Sequence, residues 1–184
     1  KKTKIEVKVT KTWEDKDNQD GKRPESIKVT LYKTVNGVKS KVEEKDVTKA
    51  NGWKYEFKNL PKYEKGKEIK YSIEEDSVAG YVGSLDGYNL TNTHTPEKVN
   101  VEGTKTWDDA NNQDGKRPTK IKVTLYKKPI VLPRGEDDGR IKVAEKEVTQ
   151  ADDWKWKFEN LDKYESGQQI EYFVTEDPVE GYTT

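Results

Sequence analysis

The 184-residue sequence contains no cysteine and no methionine, and His94 is its single histidine. Without cysteine, the chain has no disulfides, thiolate zinc sites, iron–sulfur clusters or cysteine nucleophiles. One histidine also excludes a metal site built from several histidines of the same chain. We therefore expect neither a metal nor a cofactor. The absence of Met even at position 1 predicts a mature fragment or an excised piece of a longer protein.

Long apolar runs and an excess of one charge are missing too. No stretch approaches the roughly 20 apolar residues of a membrane-spanning helix, and no signal peptide opens the chain. The 35 basic and 35 acidic residues cancel, so there is no electrostatic reason to expect nucleic acid or an anionic membrane as a partner. We expect no nucleic-acid binding and no membrane insertion.

Aromatic residues, by contrast, are plentiful. Hydrophobic residues make up only 30% of the chain, a value that leans toward disorder. The sequence nevertheless carries five Trp, ten Tyr and three Phe, whereas disordered chains are poor in aromatics. This composition predicts a folded protein with a thin core and a highly charged exterior.

The chain consists of two copies of one module. Segment 10–13 recurs at 104–107, and segment 18–24 recurs at 112–118, both at an offset of 94 residues. Farther along, the offset grows to 101, because seven extra residues lie within 128–140. We predict that these residues lengthen a hairpin loop of the second copy.

The repeat pattern also predicts the domain boundaries. Residues 1–95 form repeat 1, residues 96–98 a short linker, and residues 99–184 repeat 2. At the offset of 101, the counterpart of Asn92 falls beyond Thr184. We therefore expect repeat 2 to be C-terminally truncated in this chain and to lack its last strand.

Apolar and polar residues alternate along the segments of each copy, for example at Ile27, Val29 and Leu31. Such alternation is typical of β-strands, whose side chains point to opposite faces in turn. Clusters of Gly, Pro, Asn and Asp separate the segments, and no segment has a helical period. The pattern predicts an all-β fold of about seven short antiparallel strands per copy, which is a β-sandwich of immunoglobulin-like size.

Polar residues occupy inward-facing positions of three predicted strands. Lys11 falls on the apolar face of the first strand, Glu75 on that of the fifth and Asn92 on that of the last. Lys105 and Glu176 occupy the equivalent positions in repeat 2. A lysine, a glutamate and an asparagine are thus predicted to face into one small core.

Two interpretations of this group differ in chemistry. In the first, Lys11 and Glu75 form a hydrogen-bonded ion pair, because buried charges must be paired. In the second, Lys11 attacks the Asn92 carboxamide and forms an isopeptide bond with loss of ammonia. Burial favours the neutral amine, which is a nucleophile, and a protonated Glu75 can polarise the carbonyl.

Two further signals are weaker. Segment 15–21 looks like a calcium loop, but in EF-hand register Ile27 stands where the last position needs a Glu. We therefore predict a turn-rich hairpin loop there. His94 follows the last strand and is predicted to be a linker residue.

Several motifs together resemble a known family. They are Val9–Trp13, Asp20–Pro24, Tyr71–Glu75, Gly80–Tyr81 and Leu90–Thr93. They are similar to the B-type repeats of the staphylococcal collagen adhesin, a family that recurs in surface proteins and pilins of Gram-positive bacteria. The resemblance covers repeat 1 from end to end and repeat 2 except its last strand.

This resemblance implies an inverse immunoglobulin-like (prealbumin-like) sandwich in each copy. It also implies an isopeptide bond from Lys11 to Asn92, with Glu75 as the catalytic group. In repeat 2 it implies Glu176 as the catalytic group and Lys105 as a reactive lysine without a partner in this chain.

The leading functional hypothesis is structural: cross-linked modules form a stiff stalk or spacer of an extracellular adhesin at the bacterial cell wall, with the anchor signal outside this fragment. The expected partners are other domains of the same surface protein, and the chain is expected to be a monomer. Two alternatives remain. The modules bind a host extracellular-matrix protein, or repeat 2 captures a peptide strand through Lys105. A conventional enzyme fits least, because the glutamate would act once, on its own chain.

Overall fold

The chain separates into two units, residues 1–95 and 96–184, each with its own hydrophobic core. We call them repeat 1 and repeat 2. The computed structural model describes residues 3–130 and 139–184. The longer loop predicted within 128–140 therefore lies largely outside the described residues. No described helix has the length and apolarity that a membrane crossing requires.

Repeat 1 is a sandwich of two β-sheets. In its described residues it contains β1 (Lys4–Glu14), β2 (Ser26–Val35), β3 (Val38–Thr48), a 3-10 helix (Lys49–Asn51), β4 (Lys54–Pro61), β5 (Tyr63–Glu64), β6 (Lys67–Glu68), β7 (Lys70–Glu75), β8 (Val82–Asp86) and β9 (Asn89–Thr93). One sheet has the strand order β4-β1-β9-β8 and the other has the order β3-β2-β7. The strands β5 and β6 form a small separate ladder.

The core of repeat 1 lies between these two sheets. Val7 and Val9 of β1 and Phe57 of β4 come from one sheet, while Leu31 of β2 and Ile73 of β7 come from the other. All five are buried in a single apolar cluster. Their alternation with polar residues along each strand is what allows one face to be buried while the other is solvated. The predicted all-β sandwich is confirmed.

One pairing differs from the prediction of uniformly antiparallel strands, which was wrong at this point. β1 pairs with β4 in antiparallel fashion but with β9 in parallel, with Lys11 opposite Leu90 and Trp13 opposite Asn92. Alternation determines the face that a side chain occupies, but it does not determine the direction of the neighbouring strand. The parallel pairing brings Asn92 next to Trp13, two positions beyond Lys11 on the same face.

Repeat 2 has the same plan over its described residues. It contains β10 (Lys98–Thr104), β11 (Lys120–Lys127), β12 (Ile141–Thr149), a 3-10 helix (Gln150–Asp152), β13 (Lys155–Asp162), β14 (Tyr164–Glu165), β15 (Gln168–Gln169) and β16 (Tyr172–Glu176). β10 pairs with β13, and β11 lies between β12 and β16. The first strand, β10, begins within the predicted linker 96–98.

Candidate functional site

Lys11 enters the core of repeat 1 from the middle of β1. Its side chain has an exposed fraction of 0%, because β4 and β9 flank β1 on both sides. The ammonium donates a hydrogen bond to Oε2 of Glu75 over 2.7 Å. It also lies 4.5 Å from the centroid of the Trp13 ring, which shares its face of β1. The nitrogen is therefore held between a carboxylate and an aromatic ring, away from water.

Glu75 reaches the same place from the opposite sheet. It is the last residue of β7, where it pairs with Val29 of β2. Its side chain is 9% exposed. Because Lys11 and Glu75 belong to different sheets, their ion pair spans the interior of the sandwich.

Asn92 completes the group from β9. The residue is 1% exposed, and its carboxamide oxygen Oδ1 has no hydrogen-bond partner among the described residues. An unsatisfied buried polar group typically costs about 1–3 kcal/mol. A neighbour of Asn92 across the ladder is Gly83 of β8. The structure thus brings the three predicted residues, Lys11, Glu75 and Asn92, into one core, with an unsatisfied carbonyl among them.

Burial controls the electrostatics of the site. Desolvation lowers the pKa of the Lys11 ammonium below its ordinary value, and the hydrogen bond and charge of Glu75 oppose this effect only in part. A lowered pKa increases the fraction of neutral amine, which is the nucleophilic form of lysine. Chemically, the arrangement offers an amine, a proton carrier and an amide carbonyl in a site that is largely closed to water.

Repeat 2 contains the equivalent pair in a more open setting. Lys105 Nζ lies 2.9 Å from the Glu176 carboxylate, and the two side chains are 18% and 16% exposed. Lys105 also lies 4.7 Å from the ring centroid of Trp107. The described β10 ends at Thr104, one residue before Lys105.

A second polar cluster was not predicted from the sequence. The Arg23 guanidinium donates two hydrogen bonds to the Asp15 carboxylate, over 3.1 and 2.6 Å, and the Tyr81 hydroxyl donates a third over 2.6 Å. Burial by itself raises the pKa of Asp15, but these donors outweigh it and hold the pKa below its ordinary value. Burial and the Asp15 carboxylate raise the pKa of Tyr81. The cluster ties the loop after β1 to the segment before β8.

The same cluster recurs in repeat 2, where Asp109 accepts hydrogen bonds from Arg117 and Tyr182. Hydrogen bonds from these two donors hold the pKa of Asp109 well below its ordinary value. The sequence does contain a signal for this cluster. Its arginine lies in the recurring segments 18–24 and 112–118, and its tyrosine lies in the repeated Gly-Tyr pair.

His94 also belongs to this end of repeat 1, and its prediction as a linker residue was wrong. Its side chain is 10% exposed. One ring nitrogen lies 2.7 Å from the Gly80 carbonyl oxygen and the other lies 2.7 Å from Oδ2 of Asp20. These contacts depend on a loop far away in the sequence, so local patterning did not indicate them.

The loop at 15–21 has the structure of a series of turns. Lys16, Asp17 and Asn18 are all left-handed, with φ between 53° and 60°. The Asp15 carboxylate is engaged by Arg23 and Tyr81. Among residues 3–130 and 139–184, no group of three or more acidic or histidine side chains is arranged to hold a metal ion.

Comparison with known proteins identifies the family of both repeats. The model of the Cna protein B-type domain matches residues 7–93 and 101–184. The chain belongs to the Cna protein B-type domain family. The collagen adhesin of Staphylococcus aureus is 46% identical over 175 residues, which cover 95% of this chain and 14% of that protein. The chain thus spans about one seventh of the length of that relative.

Solved structures of B-type domains and of a pilus adhesin are also similar to the chain. Two B repeat units of the S. aureus collagen-binding protein share 42% identity and a TM-score of 0.47, covering 99% of this chain and 45% of that chain. The pilus adhesin SpaC of Lactobacillus rhamnosus GG shares 16% identity and a TM-score of 0.40, covering 97% of this chain and 20% of that chain.

Proposed function

We propose that the two B-type domains are a stalk or spacer of a Gram-positive surface adhesin, and that an isopeptide bond between Lys11 and Asn92 stabilises repeat 1. The observation that carries the proposal is the buried Lys11 amine, bonded to Glu75 in the same core as the unsatisfied carbonyl of Asn92. A simple ion pair explains the first two residues but not the buried asparagine.

The proposed reaction needs only groups that the domain contains. A proton passes from the Lys11 ammonium to Glu75, and the neutral amine attacks Cγ of Asn92 while the acid polarises the carbonyl. A bond forms between Nζ and Cγ, the bond between Cγ and Nδ2 breaks, and the leaving nitrogen takes up a proton through Glu75. Ammonia leaves, and the proton that Glu75 first took from Lys11 passes to that ammonia or to water, so Glu75 returns to its starting carboxylate. The domain acts once, on itself, so it is not an enzyme in the usual sense.

Such a bond suits a mechanical role. It would join β1 to β9, the first and last strands of repeat 1, which already lie side by side. Tension on the two ends of the repeat would then pass through the covalent link and spare the strands between them. The relatives named above are adhesins, and we infer that this chain too works outside the cell, joined to other domains of the same surface protein.

Intact mass measurement tests the cross-link directly. We expect the 184-residue chain to be lighter than its sequence mass by one ammonia. Glu75→Ala should restore the full mass while repeat 1 remains folded. Glu176→Ala, the matched change in repeat 2, should leave the mass deficit unaltered. A wild-type chain of full mass would contradict the proposal and would return Lys11 and Glu75 to the role of an ion pair.

Two other functions rest on single observations. The S. aureus relative is named a collagen adhesin, which favours an adhesive role. A binding assay of the two repeats against collagen and other matrix proteins tests it: binding would support an adhesive role, and no binding would support a spacer role. The partly exposed Lys105–Glu176 pair favours capture of an added strand by repeat 2. A peptide with the sequence of residues 87–93 should then form an adduct on a denaturing gel. The adduct should be lost in Lys105→Ala, and its absence with folded repeat 2 would exclude capture.

A further inference from the structure

A crevice leads from the surface of repeat 1 to the proposed reaction site. It lies between β7 and β8, which are edge strands of the two opposing sheets. Its lining includes Glu75, Gly83, Leu85 and Asn92, and its volume is about 370 Å³. All five residues of β8 are exposed. Glu75 and Asn92, two members of the buried polar group, therefore border this crevice.

Gly83 occupies the part of β8 that covers this group. It pairs with Asn92, and Leu85 pairs with Leu90, so alternate residues of β8 face the same interior as Asn92. A Cβ atom added to Gly83 would lie 3.1 Å from Oδ1 of Asn92 and 3.6 Å from Oε1 of Glu75. Gly83, which faces inward over the Asn92 carboxamide, is therefore the residue of β8 that has no side chain.

The backbone does not explain this glycine. Other glycines of repeat 1, such as Gly80 and Gly87, have positive φ angles that disfavour side chains, but Gly83 does not. A residue with a side chain could adopt its conformation without strain, and edge strands ordinarily favour such residues because glycine weakens a strand. Since neither the backbone conformation nor strand preference requires a glycine here, we attribute it to the limited space beside Asn92 and Glu75.

We propose that Gly83 is a positioning residue for the isopeptide reaction, because its missing side chain leaves room for the Asn92 carboxamide to be attacked. This inference rests on the proposed cross-link. The free carbonyl oxygen of Asn92 and Oε1 of Glu75 face the same point beside Gly83, while Oε2 of Glu75 holds Lys11. The carboxamide carbon becomes tetrahedral on attack, so Oδ1 must move, and a methyl group at 3.1 Å would obstruct that movement.

The test measures the rate of cross-linking in the full chain. Wild type, Gly83→Ala, Gly83→Val and Ser84→Val are produced by cell-free synthesis, and samples are quenched in denaturant for intact mass. Pulse proteolysis on parallel samples gives the folded fraction of each variant. Since a misplacement of about 1 Å can cost about 10²-fold in rate, we expect Gly83→Val to react about 100-fold more slowly per folded molecule, with Gly83→Ala between it and wild type. Ser84→Val, with the same bulk on the outward face, should react at the wild-type rate.

The outcomes separate this inference from the function on which it rests. If wild type never loses ammonia, the cross-link itself is wrong. If wild type reacts and Gly83→Val reacts equally fast, Gly83 has no positioning role. If Gly83→Val only lowers the folded fraction and leaves the rate per folded molecule unchanged, the glycine is merely structural and the inference is overturned.

Discussion

Repeats 1 and 2 carry the same lysine–glutamate pair in different surroundings. The distance from Lys11 to Glu75 is 2.7 Å, and that from Lys105 to Glu176 is 2.9 Å. The side chains of the first pair are 0% and 9% exposed, whereas those of the second are 18% and 16% exposed. The separation of the charges is therefore nearly the same, but the access of water to them is not.

The surroundings of the two lysines differ in the first strand of each repeat, and in repeat 1 the strand β9 lies beside Lys11. In repeat 1 it pairs with β1 from Thr10 to Glu14, so β1 remains a strand beyond Lys11. In repeat 2 the described β10 ends before Lys105. The strand that carries Asn92 also covers Lys11. In the proposed reaction, one packing event thus supplies the electrophile and removes water from the nucleophile.

The largest expected effect tests whether β9 acts through a covalent bond. Asn92→Ala should lower the free energy of unfolding of repeat 1 by about 4–5 kcal/mol, because the bond would close a loop of about 80 residues. Repeat 2 should be unaffected. Urea unfolding followed by fluorine NMR of fluorotryptophan measures both, since Trp13 belongs to repeat 1 and Trp107 to repeat 2. Asn89→Ala, an exposed position of the same strand, is the control, and equal losses in the two variants would contradict the bond.

The next effect concerns a position in the first strand at which the two repeats carry different residues. Gly103 of β10 lies opposite Trp156, where repeat 1 has Val9 opposite Tyr55. A Cβ atom at Gly103 would overlap the Trp156 ring. We expect Gly103→Val to destabilise repeat 2 by about 1–3 kcal/mol through overpacking. Adding Trp156→Tyr, which copies repeat 1, should restore the loss in the same urea experiment, and failure of this rescue would show that the ring is not the cause.

The burial of Lys11 should make the stability of repeat 1 depend on pH. The measurement uses Asn92→Ala, in which no cross-link can form and Lys11 remains a free amine. The pKa of Lys11 in the folded state is below its ordinary value of 10.5. Between these two pKa values the unfolded chain binds more protons than the folded one, so stability rises with pH. We compare the free energy of unfolding of Asn92→Ala with that of the double variant Asn92→Ala/Lys11→Met. The difference should rise by at most about 1.4 kcal/mol per pH unit and should level off above the ordinary pKa of lysine. A difference that is flat or falls with pH would show that Lys11 is not desolvated.

The smallest effect concerns the cluster that both repeats share. Tyr81→Phe removes a hydrogen bond to Asp15, whose side chain is 1% exposed, and should cost repeat 1 about 1 kcal/mol in the Asn92→Ala background. Tyr182→Phe removes the same bond to Asp109, which is 11% exposed. We expect a smaller loss there, because water can replace the missing donor. Equal losses by urea unfolding would show that burial of the carboxylate does not matter.

Much of the candidate site could be predicted from strand alternation alone. Lys11, Glu75 and Asn92 each share the face of buried apolar neighbours, and the structure places all three in the core. Gly83 and His94 could not be identified in this way. The importance of Gly83 lies in the space it leaves beside residues of two other strands. His94 contacts Gly80 and a loop more than 70 residues away in the chain.

The sequence by itself determined the duplication, the strands and the face of each strand that is buried. These are local properties, because the pleat of a strand sends successive side chains to opposite sides whatever lies next to it. Only the tertiary structure decided that β9 joins β1 in parallel and that β8 and β7 become the edges beside Glu75. Strand order and direction depend on contacts between segments that are distant in the chain, and alternation is equally compatible with either direction. The Lys11–Glu75 pair and the crevice above Asn92 exist only once those choices are made.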